Sequence, residues 1–391
     1  MRNSFIDLKA SENNYKWQNI IRRENGLYAR NNDIRSEFER DYTRIIHSTA
    51  YRRMKHKTQV FFSPQNDHIC TRGEHVVHVE SISYTIANYL GLNTELTKAI
   101  STAHDIGHSP FGHQGEKILS EISKRDIGER FWHEKNGLDM VDKIELLEDP
   151  DGNMQNINLT YAVRDGIISH CGEIDENCLK PRDDAVNLKE YKYPNQYAPY
   201  TWEGCVVKIA DKISYLGRDI ADAITLGILD KDLDELHQIL NSHEVINNTN
   251  IINTLIYDLC ENSNPEQGLA FSQEIFDLIN TLKKFNYEKI YLSSKLLEPT
   301  HYFELVINRI YDLLKEAFEG RDKVQKMCPE LLYDFDEWIK NYWNLERYKN
   351  NRNEVIFDMD NPKEYCKAVV YYISGMTDNY AINTYNKIIR S

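Results

Sequence analysis

Ala103-His104-Asp105-Ile106-Gly107-His108-Ser109-Pro110-Phe111-Gly112-His113-Gln114-Gly115-Glu116 is the stretch on which the reading of this chain turns. Thr94 to His104 has helical spacing, begins at a capping residue, Thr94, and stops near Gly107. Ser109-Pro110 then reads as an N-cap followed by proline at the first helical position, opening a helix through His113 and Glu116 toward Ile122. His104 and Asp105 offer a nitrogen and an oxygen ligand from one short segment, which suits a divalent ion such as Mn, Fe, Co or Mg. His113 and Glu116 lie one helical turn apart and are residue types for proton transfer beside a metal.

Helical patterns continue on both sides. His75 to Leu90 places apolar residues at 76, 79, 82, 86 and 90, and Gly91 ends the run. Asp33 to Met54 reads as one helix or two. Phe131 to Leu147, Leu159 to His170 and Cys205 to Leu229 are also helical. Lys57 to Asp67 is a short β-like or loop stretch. Cys171 to Tyr200 is polar, proline-bearing and aromatic, and reads as a long loop with the character of a lid. Beyond residue 230, helical patterns alternate with Asn-rich loops such as Asn247-Asn248-Thr249-Asn250. Ten prolines and seventeen glycines are few for 391 residues, and period-two alternation is rare. The expected fold is all-α: a helical core with N-terminal helices over residues 1–230 and a helical C-terminal extension over 231–391.

The net charge is −14, from 61 acidic against 47 basic residues, which argues against a broad duplex-binding surface and leaves room for a local basic pocket. The seven cysteines are scattered, odd in number and free of C-x-x-C spacing. They read as reduced thiols of a cytoplasmic protein. The N-terminal residues lack an apolar signal-like region, and no stretch is apolar enough to span a bilayer.

Three elements carry candidate chemistry. Arg72-Gly73-Glu74-His75 opens one helix, and His104-Asp105 closes the next. In the third, Asp211, Tyr215, Asp219 and Asp222 recur at i, i+4, i+8 and i+11, so an acidic stripe with a tyrosine lines one helix face. Such a stripe is odd for a core and fits a face turned toward a metal.

His75, His104-Asp105 and Asp211 match the H…HD…D signature of the HD phosphohydrolase superfamily. More narrowly, the chain resembles the deoxynucleoside triphosphate triphosphohydrolases, the dGTPase-like group, over roughly residues 33 to 225. Asp41-Tyr42-Thr43-Arg44-Ile45-Ile46-His47-Ser48-Thr49-Ala50-Tyr51-Arg52-Arg53-Met54, Lys57-Thr58-Gln59-Val60-Phe61, Ala103 to Glu116 and Ile209 to Asp219 carry the resemblance. It implies an HD-type core with helical extensions and hydrolysis of a deoxynucleoside triphosphate, dGTP among them, to deoxynucleoside and triphosphate. It further implies a metal held by His75, His104, Asp105 and Asp211, with an additional Mg accompanying the substrate triphosphate. His113 and Glu116 would form the acid/base pair, with His133 a further active-site histidine. Arg72 and Lys212 would approach phosphates, and Tyr215 and Asp219 would face the sugar. A homo-oligomer, often a hexamer, goes with the group. Three places depart from its pattern: Cys70 where Arg is frequent, Gly73-Glu74 where Leu-Thr is frequent, and Glu134 where many bacterial members carry Asn. Base and sugar preference therefore do not transfer.

Other readings stand beside these. His108 is divided between supporting a metal ligand and contacting phosphate. Asp222 reads as structural, and Arg164 as divided between phosphate contact and a salt bridge. Part of Arg52-Arg53-Met54-Lys55-His56-Lys57 reads as a basic rim that attracts an anionic nucleotide. His47, His56, His68, His78 and His170 receive no role. Two rival functions are another HD phosphohydrolase, acting on an alarmone, nucleoside monophosphate or cyclic nucleotide, and a non-catalytic nucleotide-sensing oligomer. The Pro110-Phe111-Gly112-His113-Gln114-Gly115-Glu116 continuation argues against the first, and the intact ligand set against the second.

Overall fold

A computed structural model of the chain describes residues 2–28, 33–62, 66–171, 177–230, 233–240, 248–343 and 355–390. The first half contains helices α1 (Trp17–Ile20), α2 (Glu37–His47), α3 (Thr49–Met54), α4 (Arg72–Leu90), α5 (Thr94–Ala103), α6 (Gly112–Asp126) and α7 (His133–Asp139). After α7 the chain widens into a π-type turn at Met140–Ile144, then forms an antiparallel hairpin, β1 (Leu146–Glu148) with β2 (Met154–Asn156). Helices α8 (Tyr161–Ser169) and α9 (Trp202–Thr225) follow. The remainder is α10 (Asp234–Ile239), α11 (Asn248–Asn262), α12 (Gln273–Asn286), α13 (Ser294–Leu297), α14 (Thr300–Met327), α15 (Pro329–Trp343), α16 (Pro362–Ser374) and α17 (Asp378–Arg390). The architecture is all-α with one small hairpin, and no described helix is long and apolar enough to cross a membrane.

Local chemistry sets the helix boundaries. Ser48 settles the stretch from Asp33 to Met54 as two helices, because it ends α2 and its Oγ accepts the N–H of Tyr51 to cap α3. Helix α4 opens on a capping box: the Thr71 hydroxyl accepts the Glu74 N–H, and the Glu74 carboxylate accepts the Thr71 N–H. Gly91 ends it in the left-handed conformation, as expected from the sequence.

Several boundaries differ from the sequence reading. Asn93, not Thr94, caps α5, because its side chain accepts the N–H groups of both Glu95 and Leu96. Helix α6 starts at Gly112, not at Ser109-Pro110. Phe111 takes a left-handed φ of 63° and its N–H is held by the Asp378 carboxylate at 2.9 Å, so the helical turn begins only afterwards. Gly115 is required here, since a Cβ would lie 1.8 Å from the Pro110 carbonyl oxygen. Leu147 belongs to β1, and Asn248 to Asn250 lie in α11 instead of a loop; Asn247 is outside the described residues. Within 171–200, residues 172–176 are likewise outside. The described remainder is pinned, by the bridge of Leu179 to Leu269 and the 2.5 Å ion pair of Arg182 with Asp165.

Two hydrophobic cores hold these helices. The first gathers Ile45, Ile82, Ile86, Ile100, Ile167, Val206, Ile213 and Leu255, from α2, α4, α5, α8, α9 and α11. The second gathers Leu119, Ile122, Val306, Ile310, Leu332, Val370 and Ile388, from α6 and α14 to α17. Helix α6, which carries His113 and Glu116, thus packs with the C-terminal helices.

Buried polar groups join the two. Lys57 donates through Nζ to the carbonyls of His108 and Ser374. Asp378 accepts from the N–H of Thr58 at 2.8 Å and from Phe111. Asp378→Ala would strand both donors, at about 1–3 kcal/mol for each that stays dry. The expected result is a lowered thermal midpoint by circular dichroism with native helix content at room temperature; an unchanged midpoint would show that the latch carries no stability.

Candidate metal centre and active-site cavity

His75 lies one turn inside α4, His104 at the C-terminal end of α5, Asp105 immediately beyond, and Asp211 in the middle of α9. The packing of α4 against α5 and α9 brings these distant positions together. His75 Nε2 is 2.9 Å from Asp211 Oδ1 and 3.8 Å from Asp105 Oδ2. His104 Nε2 is 3.7 Å from Asp105 Oδ2 and 3.8 Å from Asp211 Oδ1. Two imidazole nitrogens and two carboxylate oxygens therefore face one point.

The donor set fits a divalent cation on the state of its atoms. His104 Nδ1 is 2.6 Å from the Ser101 carbonyl, which can only accept, so this nitrogen carries the proton and Nε2 keeps its lone pair. That Nε2 is fully buried and has no hydrogen-bond partner. Burial brings the His104 pKa down to about 4 against the pull of Asp105 and Asp211, so the ring is neutral near pH 7. Burial alone would push Asp211 up, but its hydrogen bond from His75 and the nearness of the His75 and His104 rings bring it to about 2. Burial likewise opposes ionisation of Asp105, and Arg72, then His104 and His108, hold it well below the usual carboxylate range.

Asp105 is the most heavily used of the four. The Arg72 guanidinium is 2.5 Å from its Oδ2, and His108 Nε2 is 3.1 Å from its Oδ1. Arg72 also donates to the Gln59 carbonyl, so it is fixed from two sides. His108 stacks on His133, with ring centroids 3.8 Å apart. Gly107 makes this approach possible, since a Cβ there would come within 2.1 Å of the His133 carbonyl oxygen. Asn136 closes the contact by donating to the Gly107 carbonyl at 2.7 Å.

The donor set opens into a cavity of about 650 Å³. Arg72, His108, Lys212, Tyr215 and Asp219 line it with His113 and His133, so the sequence-predicted set converges. Glu116 is shared between two imidazoles: His133 Nδ1 at 3.0 Å and His113 Nδ1 at 3.7 Å. His133 is buried, whereas the His113 side chain is 71% exposed and stands at the mouth. Burial works against the His133 cation, and Glu134 and Glu116 outweigh it, so its pKa is held well above the usual value. Asp219 accepts from the Tyr291 hydroxyl at 2.5 Å, and burial lifts its pKa to about 7.

Other candidates fall outside the cavity. Arg164 is taken up by Asp142 and Glu24, and Asp222 accepts the Cys70 N–H. The basic rim is not formed: Arg53 pairs with Glu145, Lys57 is buried in the latch, and no residue of 52–57 lines the cavity. Three features escaped sequence reading. His170 and Cys171 line the cavity, with His170 Nε2 3.7 Å from Asp105 Oδ1. Tyr291 reaches in from beyond α12, and Phe62, Phe111 and Phe303 form an apolar side. A signal for His170 existed, because it closes its helix as His104 does.

Comparison with known proteins agrees with this construction. The HD domain family model matches residues 72–216, the span from Arg72 to just past Asp211. A deoxyguanosinetriphosphate triphosphohydrolase-like protein of Caldanaerobacter subterraneus subsp. tengcongensis is 35% identical over 360 residues, 91% of this chain and 86% of that protein. Proteins of the same description from Desulfatibacillum aliphaticivorans and Pelagibacter ubique are 32% and 31% identical, covering 91% and 97% of this chain and 88% and 98% of theirs. The chain belongs to the deoxyguanosinetriphosphate triphosphohydrolase-like family of HD-domain proteins. HD domains bind divalent metals, and the buried His and Asp cluster of this family member suits one.

Asp105→Ala removes the carboxylate that faces both histidines. Metal content after loading with Mn is expected to fall to background by elemental analysis, with helical circular dichroism retained. Asp211→Ala, which leaves Arg72 paired, is expected to behave the same way. Full occupancy in both variants would sink the ligand assignment.

Proposed function

We propose that this protein hydrolyses deoxynucleoside triphosphates, dGTP among the candidates, to deoxynucleoside and inorganic triphosphate in a metal-dependent reaction. The observation that carries the reading is the convergence of His75, His104, Asp105 and Asp211 beside a cavity that His75, Asp105, Asp211 and His113 line, with Glu116 within 3.7 Å of His113. An ion of the Mn, Fe, Co or Mg class held by those four residues supplies Lewis-acid polarisation of the scissile phosphate ester.

The chain's own groups account for the rest. Arg72 and Lys212 add positive charge beside the phosphates, which lets a water molecule approach a polyanion. His108 is held by Asp105 and supports that carboxylate from its other oxygen. His113 stands at the mouth and gives a proton to the leaving 5′-oxygen, with Glu116 orienting the imidazole. His133, on the same carboxylate, keeps Glu116 ionised: burial opposes this, and the His133 charge holds the Glu116 pKa far below the usual range. Tyr215 and Asp219 face the sugar, and Phe62, Phe111 and Phe303 offer apolar surface to a base. A further Mg travels with the triphosphate, and the active form is a cytoplasmic homo-oligomer.

A matrix of Mn, Co and Mg against the four common dNTPs, with chromatographic product identification after chelation and reloading, tests the reading. The expected products are deoxynucleoside and triphosphate from at least one substrate. Pyrophosphate with a monophosphate would reject the bond assignment, and turnover confined to monophosphates, cyclic nucleotides or alarmones would reject the substrate class.

His113→Ala is expected to retain its metal and lose about 10²–10⁴-fold in kcat, the usual worth of a general acid. Metal content and kcat measured on one preparation separate this from a ligand role, in which both are lost, and from a surface role, in which neither changes.

A further inference from the structure

We propose that His133, His170 and Cys171 form a second metal site beside the first, with sulfur in its donor set, that takes a borderline-soft divalent ion of the zinc class. The three side chains offer ligand atoms that all lie within 4.8 Å of one another. His133 Nε2 is 3.2 Å from Cys171 Sγ. Metal–ligand bonds of 2.0–2.3 Å in a tetrahedral arrangement separate donor atoms by about 3.3–3.7 Å. Small rotamer adjustments therefore suffice.

The rings are already oriented for ligation. His170 Nδ1 is 2.7 Å from the Ile167 carbonyl, which only accepts, so Nδ1 carries a proton and Nε2 is the ring nitrogen that faces inward. That Nε2 is buried, its residue 1% exposed, and it has no hydrogen-bond partner. A hydrogen bond with Cys171 accounts for His133 Nε2, whereas the His170 nitrogen has Asp105 Oδ1 at 3.7 Å; a shared cation would engage both. His133 is anchored from behind by Glu116, which faces Nδ1 at 3.0 Å and accepts the His133 backbone N–H at 3.2 Å. A carboxylate behind a histidine is the arrangement that fixes a metal-binding imidazole. Glu134 Oε2, 3.5 Å from the same Nδ1, adds negative charge that favours a cation.

Ligand chemistry separates the two sites. The first offers two imidazoles and two carboxylates and suits Mn, Fe, Co or Mg; the second offers two imidazoles and a thiolate, which Mg and Mn bind poorly. Asp105 stands between them, with Oδ2 toward His75 and His104 and Oδ1 toward His170. All three ligands of the second site line the cavity, so the coordination position left open faces the same space.

The test uses Co²⁺ as probe on the full-length protein after chelator treatment, reloading and desalting. Two Co per chain are expected, with a thiolate-to-cobalt charge-transfer band in the near ultraviolet. Cys171→Ser should lose the band and one Co while keeping the other. Asp211→Ala should keep the band, which separates this site from the first and from the hydrolytic reading. His170→Gln, checked for helix content by circular dichroism, should also lose the band. One Co per chain without the band in the wild type, a band that survives Cys171→Ser, or a band that survives His170→Gln would each overturn the proposal.

Discussion

A buried carboxylate that cannot be left alone organises this molecule. Asp105 has almost no solvent contact, and an ionised carboxylate in such a place must be matched by positive charge and hydrogen bonds. Arg72 comes from the start of α4, His104 from the end of α5, and His108 from the turn beyond. With Asp211 ionised close by, two buried carboxylates share this pocket with the Arg72 guanidinium. A divalent cation held by the four donors would add the positive charge that such a pair of buried carboxylates favours.

The same carboxylate constrains the backbone around it. Between Asp105 and His108 the chain passes Gly107, which lies directly against the start of α7. That contact stacks His108 on His133 and sets His133 within reach of Glu116 from α6. A relay of imidazoles and carboxylates thus runs from the donor set to the cavity mouth, each member fixed by the next. Buried contacts of this kind rigidify a site, because any member that moves strands a buried partner.

Sequence reading named four residues that the fold brings together, and the helices that carry or border them, for a definite reason. Within α4 and α5, apolar residues recur at helical spacing, and the chemistry-bearing residues sit at helix ends or on one face, where local pattern is informative. It failed where partners are distant in sequence. The cap of α6 moved from Ser109-Pro110 to Phe111 because Asp378 holds the Phe111 N–H. Lys57 looked like part of a basic rim but is buried between the carbonyls of His108 and Ser374. His170 drew no role because its neighbours in the cavity, Asp105 and His133, belong to other helices. No periodicity encodes such contacts; they are consequences of packing.

The cavity also joins the two hydrophobic cores. His75 and Asp211 stand on helices of the first core and Asp105 directly follows one, whereas Phe111, His113 and Phe303 belong to elements of the second. The distance between the metal ligands and the proposed proton donor is therefore not set within one helix or one core. It is set by the buried bridges between them, of which Lys57 and Asp378 are the clearest, and by the Glu116 contact to His133. Residues beyond 300 have no place in the HD motif, yet their packing against α6 holds His113 at the mouth. Helix α14 accordingly gives Phe303 to one side of the cavity, and a change in the packing of the C-terminal helices would reach the chemistry by shifting α6 relative to α4, α5 and α9.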